Sequence, residues 1–320
     1  MLPTVADVYE ARRRLGTRLP RTPLLPSSWL SSVAGGDVFL KIESLNLTNS
    51  FKIRGALNAA LRLSEALTGD TTVVAASAGN HGRALALAAE ELGVTCVIFT
   101  PASAPEAKQN AIRRHGAELH VCDDYDAAEL QAKAFADANG AVYISPYNNA
   151  DVIAGAGTIG LEIVEAMPSV DVVVVPLGGG GLASGIGLAL KAAAPQAAIV
   201  GVEVEASTPF TLSLEAGRIT EITPGPSLAD GLVGNLEADS MTFPLVRQVV
   251  DHVVTISEGE LARAMKGLAT EDRLIVEGAG AAASAAVMAG RISARGRRVV
   301  AMVTGGNVDL EKWIGTVSAR

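Results

Sequence analysis

In the stretch LTNSFKIRGALNAAL, residues 47–61, Lys52 stands at the doorway of a helix built for a core. Ile53, Ala56, Leu57, Ala60 and Leu61 have the three- and four-residue spacing of one apolar helix face, and Lys52 opens that run. Such a lysine either snorkels its ammonium to water or keeps a desolvated amine that can act as a nucleophile. A second chemical feature is VVVVPLGGGGLASG, where Gly178, Gly179, Gly180 and Gly181 separate a β-branched run from an apolar segment starting at Leu182. Bare amides at a helix start, helped by the positive end of the helix dipole, suit a phosphate. The plain alternative is a ligand-free turn, but a turn rarely needs four glycines in a row.

Two further stretches end in polar or small residues just where an apolar strand closes. In ASAGNHGRALALAA, residues 76–89, Ser77, Ala78 and Gly79 crowd backbone amides before a helix. That arrangement suits a carboxylate if the glycine run already takes the phosphate. Asn80 is either an ordinary N-cap or an amide offered to a ligand, and the ring of His81 reads as structural. In AMVTGGNVDLEKW, Thr304 follows a strand and places a hydroxyl at the crevice end of a parallel sheet, with simple turn chemistry as the alternative. Gly178, Gly180 and Ala183 also fit the form of a dinucleotide fingerprint with Glu203 and Glu205 ending the next strand, a match that leaves Lys52 without a purpose. An amine, a phosphate cradle, a carboxylate cradle, an amide and a hydroxyl together describe pyridoxal 5'-phosphate with an amino acid substrate.

The elements that would position these groups alternate in type. A helix over 5–15, with Thr4 and Asp7 as a capping box, precedes a proline-rich passage and the strand DVFLKI. Strands at 72–77, 94–100, 117–121 and 141–145 are separated by helical patterns at 82–92, 105–114 and 125–138. A second series runs helix 152–166, strand 171–175, helix 182–194 and strand IVGVEV. A loose stretch over 206–235 leads to strand HVVTIS, a helix capped by Ser257 and Glu260, an Ala/Gly-rich helix from about 280, and strand RRVVAMV. Repeated strand, helix, strand units predict an α/β fold of two lobes, each an open, mostly parallel sheet flanked by helices. The divisions are placed near 68 and 148, giving a large cofactor-binding domain from 1–68 with 148–320 and a small domain from 69–147.

Composition narrows the function classes. A hydrophobic content of 49% argues for a folded core, and a net charge of −8 without a dense basic run argues against nucleic acid or an anionic membrane as partner. Cys96 and Cys122 lie in separate apolar runs, which gives neither a disulfide framework nor zinc spacing. Residues 172–190 are uncharged over nearly a bilayer's length, yet Pro176 and the glycine run break them into strand, loop and helix rather than a membrane span. The opening MLPTVADVYEARRR lacks the pattern of a secretory leader, so a cytoplasmic enzyme is expected.

SFKIRGA, SAGNHG, GGGGL and GGNVD, in that order across nearly the whole chain, resemble the serine/threonine dehydratase and serine racemase group of fold-type II pyridoxal phosphate enzymes. The resemblance implies Lys52 as the Schiff-base lysine and Phe51 packed against the cofactor ring. It implies Asn80 on the ring's 3'-oxygen, Gly178, Gly179, Gly180, Gly181 and Leu182 on the phosphate, and Thr304 at the pyridine nitrogen. The substrate carboxylate would lie on Ser77, Ala78, Gly79, Asn80 and His81. The implied reaction is a lyase one, an L-β-hydroxy amino acid such as threonine or serine giving an α-keto acid and ammonia in a homodimer. Racemisation of serine or aspartate, dehydration of 3-hydroxyaspartate and, more distantly, a nicotinamide-dependent oxidation are the alternatives. Where serine racemase-like members hold a divalent cation, this chain would offer Glu203 and Ser207 but Pro209 in the third place, so no bound magnesium or calcium is expected. The sequence ends fourteen residues after Gly306, and no regulatory domain is expected.

Overall fold

The computed structural model describes residues 1–66, 71–77 and 79–318. Ten strands occur among them: β1 Leu24–Pro26, β2 Asp37–Ile42, β3 Thr72–Ala76, β4 Thr95–Pro101, β5 Glu118–Cys122, β6 Val142–Tyr143, β7 Val172–Pro176, β8 Ala198–Val204, β9 His252–Ile256 and β10 Arg298–Val303. They form a six-stranded sheet in the order β1-β2-β10-β7-β8-β9 and a four-stranded sheet in the order β5-β4-β3-β6. Only β1 runs antiparallel to its neighbour.

Val172, Val173, Val174 and Val175 are all buried, as β-branched side chains are when a parallel strand has helices on both faces. β7 pairs Val173 with Val300 of β10 on one side and with Ile199 of β8 on the other. The main core gathers around this sheet, with Phe210, Ile186, Ala282 and Met302 among its buried members. Two smaller cores cover the faces of the four-stranded sheet, one around Leu57, Leu85 and Ile98, the other around Val74, Val97 and Ala132. Because the strands are parallel, the loops after β2, β7 and β10 leave from one sheet edge, which is where open α/β sheets carry ligands. Helix Gly181–Ala193, which follows the glycine run, is held close to helix Ala150–Ala166 by a lack of side chains at the crossing. A Cβ on Gly160 would stand 2.9 Å from the carbonyl oxygen of Ile186.

The expected alternation is present, with three differences. The strand expected over 141–145 shortens to β6, because Ser145 and Pro146 turn away toward the loop before Asn149, the N-cap of the next helix. The loose stretch over 206–235 contains helix Pro209–Ala216, whose N-terminal amides find their acceptor in Glu203, six residues earlier than the helix itself. Strand β1, with helices Ser28–Ala34, Thr242–Val249 and Leu310–Ser318, occupies ground that the sequence reading left irregular. The expected division near 68 lies outside the described residues. No helix among the described residues is long and apolar enough to cross a membrane.

Candidate active site

Lys52 is the first residue of helix Lys52–Ala66 and is half-buried. The turn before it is pinned to β10's exit: Phe51 N–H donates to the Thr304 carbonyl at 3.0 Å, and Ser50 bridges to Gly305. Two residues on, Arg54 anchors the helix from below. Its guanidinium donates to Glu43 through Nε at 2.8 Å and Nη2 at 2.9 Å, and to Glu162 through Nη1 at 2.6 Å. Lys41 Nζ reaches Glu162 at 2.5 Å, so two cations and two carboxylates close a neutral buried cluster. Burial opposes the Arg54 charge, but Glu43 and Glu162 hold its pKa above the ordinary value.

Among the described residues, no carboxylate is in contact with the Lys52 amine. Its Nζ donates to the Pro146 carbonyl at 2.9 Å and lies 5.1 Å from the Phe51 ring centroid. Burial lowers its pKa to about 8, with Glu277 pulling the other way. An amine so placed has a far larger neutral, nucleophilic fraction near neutral pH than an ordinary lysine has.

Beside Pro146, Tyr147 lies across the glycine run. A side chain on Gly179 would enter the Tyr147 ring, and one on Gly181 would stand 3.2 Å from Tyr147 Cβ. Gly180 adopts φ +85°, which glycine alone reaches without strain, and caps helix Gly181–Ala193. Gly178 lies against Gly231 and Leu232, while Leu182 is buried in the core just behind the loop. A loop that excludes every side chain, opens a helix and stands beside a desolvated lysine fits a phosphate-bearing aldehyde.

Asn80 begins helix Asn80–Leu92 after β3. Its Nδ2 donates to Glu277 Oε1 at 2.6 Å, and its Oδ1 accepts from Asn307 Nδ2 at 2.7 Å. Glu277 is buried against Gly305 at the N-cap of helix Gly278–Met288. Burial raises its pKa to about 7; Asp230 adds to the rise, while Lys108, Asn80 and Lys52 oppose it. Ser77 Oγ accepts from the N–H of Gly79 at 3.1 Å and of Gly82 at 2.9 Å, so the hydroxyl shapes this loop. Ala78 lies outside the described residues. The His81 ring is buried, with Nε2 2.9 Å from the Ile144 carbonyl, and burial followed by the Lys52 charge lowers its pKa to about 3. It is therefore a neutral, structural ring, as its sequence context suggested. Thr304 is buried and its hydroxyl donates to the Ala279 carbonyl at 3.3 Å.

Lys52 thus reaches Pro146 beside Tyr147 and the glycine run, Phe51 is tied to Thr304, and Asn80 meets Glu277 beside Gly305. A cavity of about 190 Å³ is bordered by Asn80, Arg83, Lys108, Arg114 and Asn307. Sequence reasoning missed Glu277, Tyr147, Asn307 and the Arg54 cluster. Asn307 and Arg54 lay inside the motifs GGNVD and SFKIRGA, and Glu277 was visible as an acid directly before a helix of glycines and alanines. Of the two acids in the dinucleotide alternative, Glu205 is exposed and Glu203 is already committed. Glu203 spends both oxygens on Phe210 N–H at 2.7 Å, Thr211 N–H at 3.0 Å and the Thr211 hydroxyl at 2.5 Å.

A family model described as pyridoxal-phosphate dependent enzyme matches residues 17–305. The chain belongs to this family. The L-threonine ammonia-lyase of Thermotoga maritima is 42% identical over 308 residues, 96% of this chain and 76% of that one. Among solved structures, the T.th. threonine deaminase superposes with a TM-score of 0.87 at 37% identity, covering 96% of this chain and 99% of that chain. Maize serine racemase superposes with a TM-score of 0.92 at 32% identity, covering 99% and 97%. The fold is therefore that of the fold-type II pyridoxal phosphate enzymes, and the cofactor is pyridoxal 5'-phosphate.

Proposed function

We propose that the protein is a lyase that converts an L-β-hydroxy amino acid such as L-threonine or L-serine to its α-keto acid and ammonia. The observation that carries this reading is a half-buried Lys52 amine, its pKa lowered to about 8, bonded to the Pro146 carbonyl next to Tyr147, whose ring lies against the side-chain-free loop Gly178–Gly181. Bound pyridoxal 5'-phosphate supplies an aldehyde for that amine and a conjugated ring that acidifies the substrate's α-carbon. The loop amides and the amino end of helix Gly181–Ala193 hold the phosphate, with Leu182 closing the pocket behind it. Phe51 would pack against the ring, Asn80 would donate to the ring oxygen, and the Thr304 hydroxyl would meet the ring nitrogen. A neutral hydroxyl would not hold that nitrogen protonated as a carboxylate would, provided its single hydrogen turns from the Ala279 carbonyl to the nitrogen. The Gly79–His81 loop, with Ser77 and Ala78, takes the substrate carboxylate, and Lys52 Nζ accepts the α-proton.

The test is keto-acid release from a panel of L-threonine, L-serine and L-3-hydroxyaspartate, with the protein yellow as purified. Lys52→Ala abolishes release and also the bleaching of colour by borohydride. Colourless protein that neither binds pyridoxal 5'-phosphate nor releases keto acid sinks the reading. The likeness to maize serine racemase favours one second reading, racemisation on the same scaffold. Return of a proton from the face opposite Lys52 needs a donor, and Ala78 brings only a methyl group. Chiral chromatography decides: D-serine formed as fast as pyruvate would establish the racemase.

Two finer statements belong to the same proposal. Exposed apolar side chains at Leu45, Leu47, Ile275, Leu310 and Ile314 support a homodimer, which light scattering would detect. The buried free thiols of Cys96 and Cys122 suit a reducing compartment, in keeping with a cytoplasmic enzyme. The two sheets support two domains, 1–68 with 148–320 and 69–147.

A further inference from the structure

Four side chains form a directed chain of hydrogen bonds that ends at the candidate cofactor site. Arg83 Nη1 donates to Asn307 Oδ1 at 2.6 Å. Asn307 Nδ2 donates to the Thr48 carbonyl at 2.8 Å and to Asn80 Oδ1 at 2.7 Å. Asn80 Nδ2 then donates to Glu277 Oε1 at 2.6 Å. An asparagine amide has nearly the same shape either way round, so partners that can only give or only accept decide its orientation. A guanidinium has no acceptor and a backbone carbonyl has no hydrogen, so Arg83 and Thr48 together leave Asn307 one orientation. Asn307 in turn presents a donor to Asn80, which forces the Asn80 oxygen toward it and the Asn80 nitrogen toward Glu277. That sense is imposed from the Arg83 end whatever the protonation of Glu277. The nitrogen has two hydrogens, and Glu277 uses one.

We propose that Asn307 is a positioning residue that locks the Asn80 amide so that its remaining N–H, rather than its oxygen, is the group left for the ring oxygen of pyridoxal 5'-phosphate. The proposal rests on the cofactor reading above. Asn307 touches no reacting atom and acts only through Asn80. Replacing it by aspartate keeps its shape and its bond to Arg83 but turns both of its donated hydrogen bonds into clashes of acceptors. The Asn80 amide then turns over and offers an oxygen where a donor was needed.

Apo-protein titrated with pyridoxal 5'-phosphate, followed by its visible absorbance, tests this in a double-mutant cycle of Asn307→Asp and Asn80→Ala. Loss of one hydrogen bond to an anionic oxygen predicts binding about tenfold weaker for Asn307→Asp, with a displaced absorbance maximum. In the Asn80→Ala background the same change has no amide to turn, and its effect shrinks to what the lost bond to the Thr48 carbonyl contributes. An equal effect in both backgrounds, or none in either, overturns the proposal, since an added charge or a general loosening would act without Asn80. Wild-type protein that takes up no pyridoxal 5'-phosphate overturns the cofactor reading instead. If Asn307→Asp does not fold, Asn307→Leu, of nearly the same shape but with no donor to hold the Asn80 oxygen, takes its place in the cycle: an effect that shrinks without Asn80 supports the lock, and an equal effect or none overturns it.

Discussion

Gly180→Ala separates what the glycine run owes to backbone conformation from what it owes to space. Gly180 sits at φ +85°, and a Cβ there would stand 2.5 Å from Phe210 Cζ, 2.9 Å from Thr242 Cβ and 3.0 Å from Thr242 Oγ1. The left-handed backbone alone costs an alanine about 1–2 kcal/mol. Overpacking adds about 1–3 kcal/mol, because Phe210 is fully buried and the Thr242 hydroxyl is held by the Gly179 carbonyl at 2.7 Å. Gly217 supplies the reference: it has φ +69° and nothing within 4 Å of its Cβ position, so Gly217→Ala carries the backbone cost alone. Chemical denaturation of the two apo-variants should therefore place Gly180→Ala about 2 kcal/mol below Gly217→Ala. Cofactor titration should show Gly180→Ala binding pyridoxal 5'-phosphate at least about tenfold more weakly, while Gly217→Ala, in a remote helix cap, binds as wild type. Equal stability and equal cofactor affinity in the two variants would refute the claim that neighbours, and not backbone freedom alone, require glycine at this place.

Uptake of pyridoxal 5'-phosphate by apo-protein should depend on pH through Lys52. Its pKa is lowered to about 8, so the nucleophilic neutral amine dominates above that value. The initial rate should fall about tenfold per pH unit below it and level off above it, and a rate that keeps climbing about tenfold per unit to about pH 10 would contradict the depressed pKa. Arg54→Met leaves Glu43 buried without its partner and should cost about 3–5 kcal/mol in denaturant stability, with little change if the cluster is only loosely formed. Glu203 already has three donors on its two oxygens. Dialysis against a chelator should therefore leave keto-acid release unchanged, and full loss restored by magnesium would show a cation site there.

The parallel lobes were legible because alternation of apolar strands and amphipathic helices is a local signal that burial on both sheet faces makes strong. β7 is a run of valines, and its role followed from that run alone. Helix Pro209–Ala216 was hidden because its N-terminal acceptor is Glu203 at the end of another element, a partner that no local pattern points to. The Lys52 and glycine-run positions were readable from residue type, since few other environments call for a charge at a core helix or four glycines after a strand. Glu277 was not, because a lone glutamate before small residues has the same local appearance as a surface N-cap. Only the packing of Gly305 against it, and of Asn80 beside it, marks that carboxylate as buried and committed.

The glycine run is hemmed in by Tyr147, Phe210, Gly231, Leu232 and Thr242, which arrive from three well-separated parts of the chain. No early, local fragment of the folding chain can therefore assemble it, and the proposed anion cradle is complete only when the long-range contacts have closed. A ligand that recognises the cradle binds the finished protein and not its precursors, so cofactor supply acts by mass action on the last stage of maturation. At a hundredfold excess over its dissociation constant such a ligand contributes about 2.7 kcal/mol to the folded state. Cofactor starvation would thus be felt first as lower abundance of the protein through turnover of incomplete chains, ahead of any loss of turnover per folded molecule.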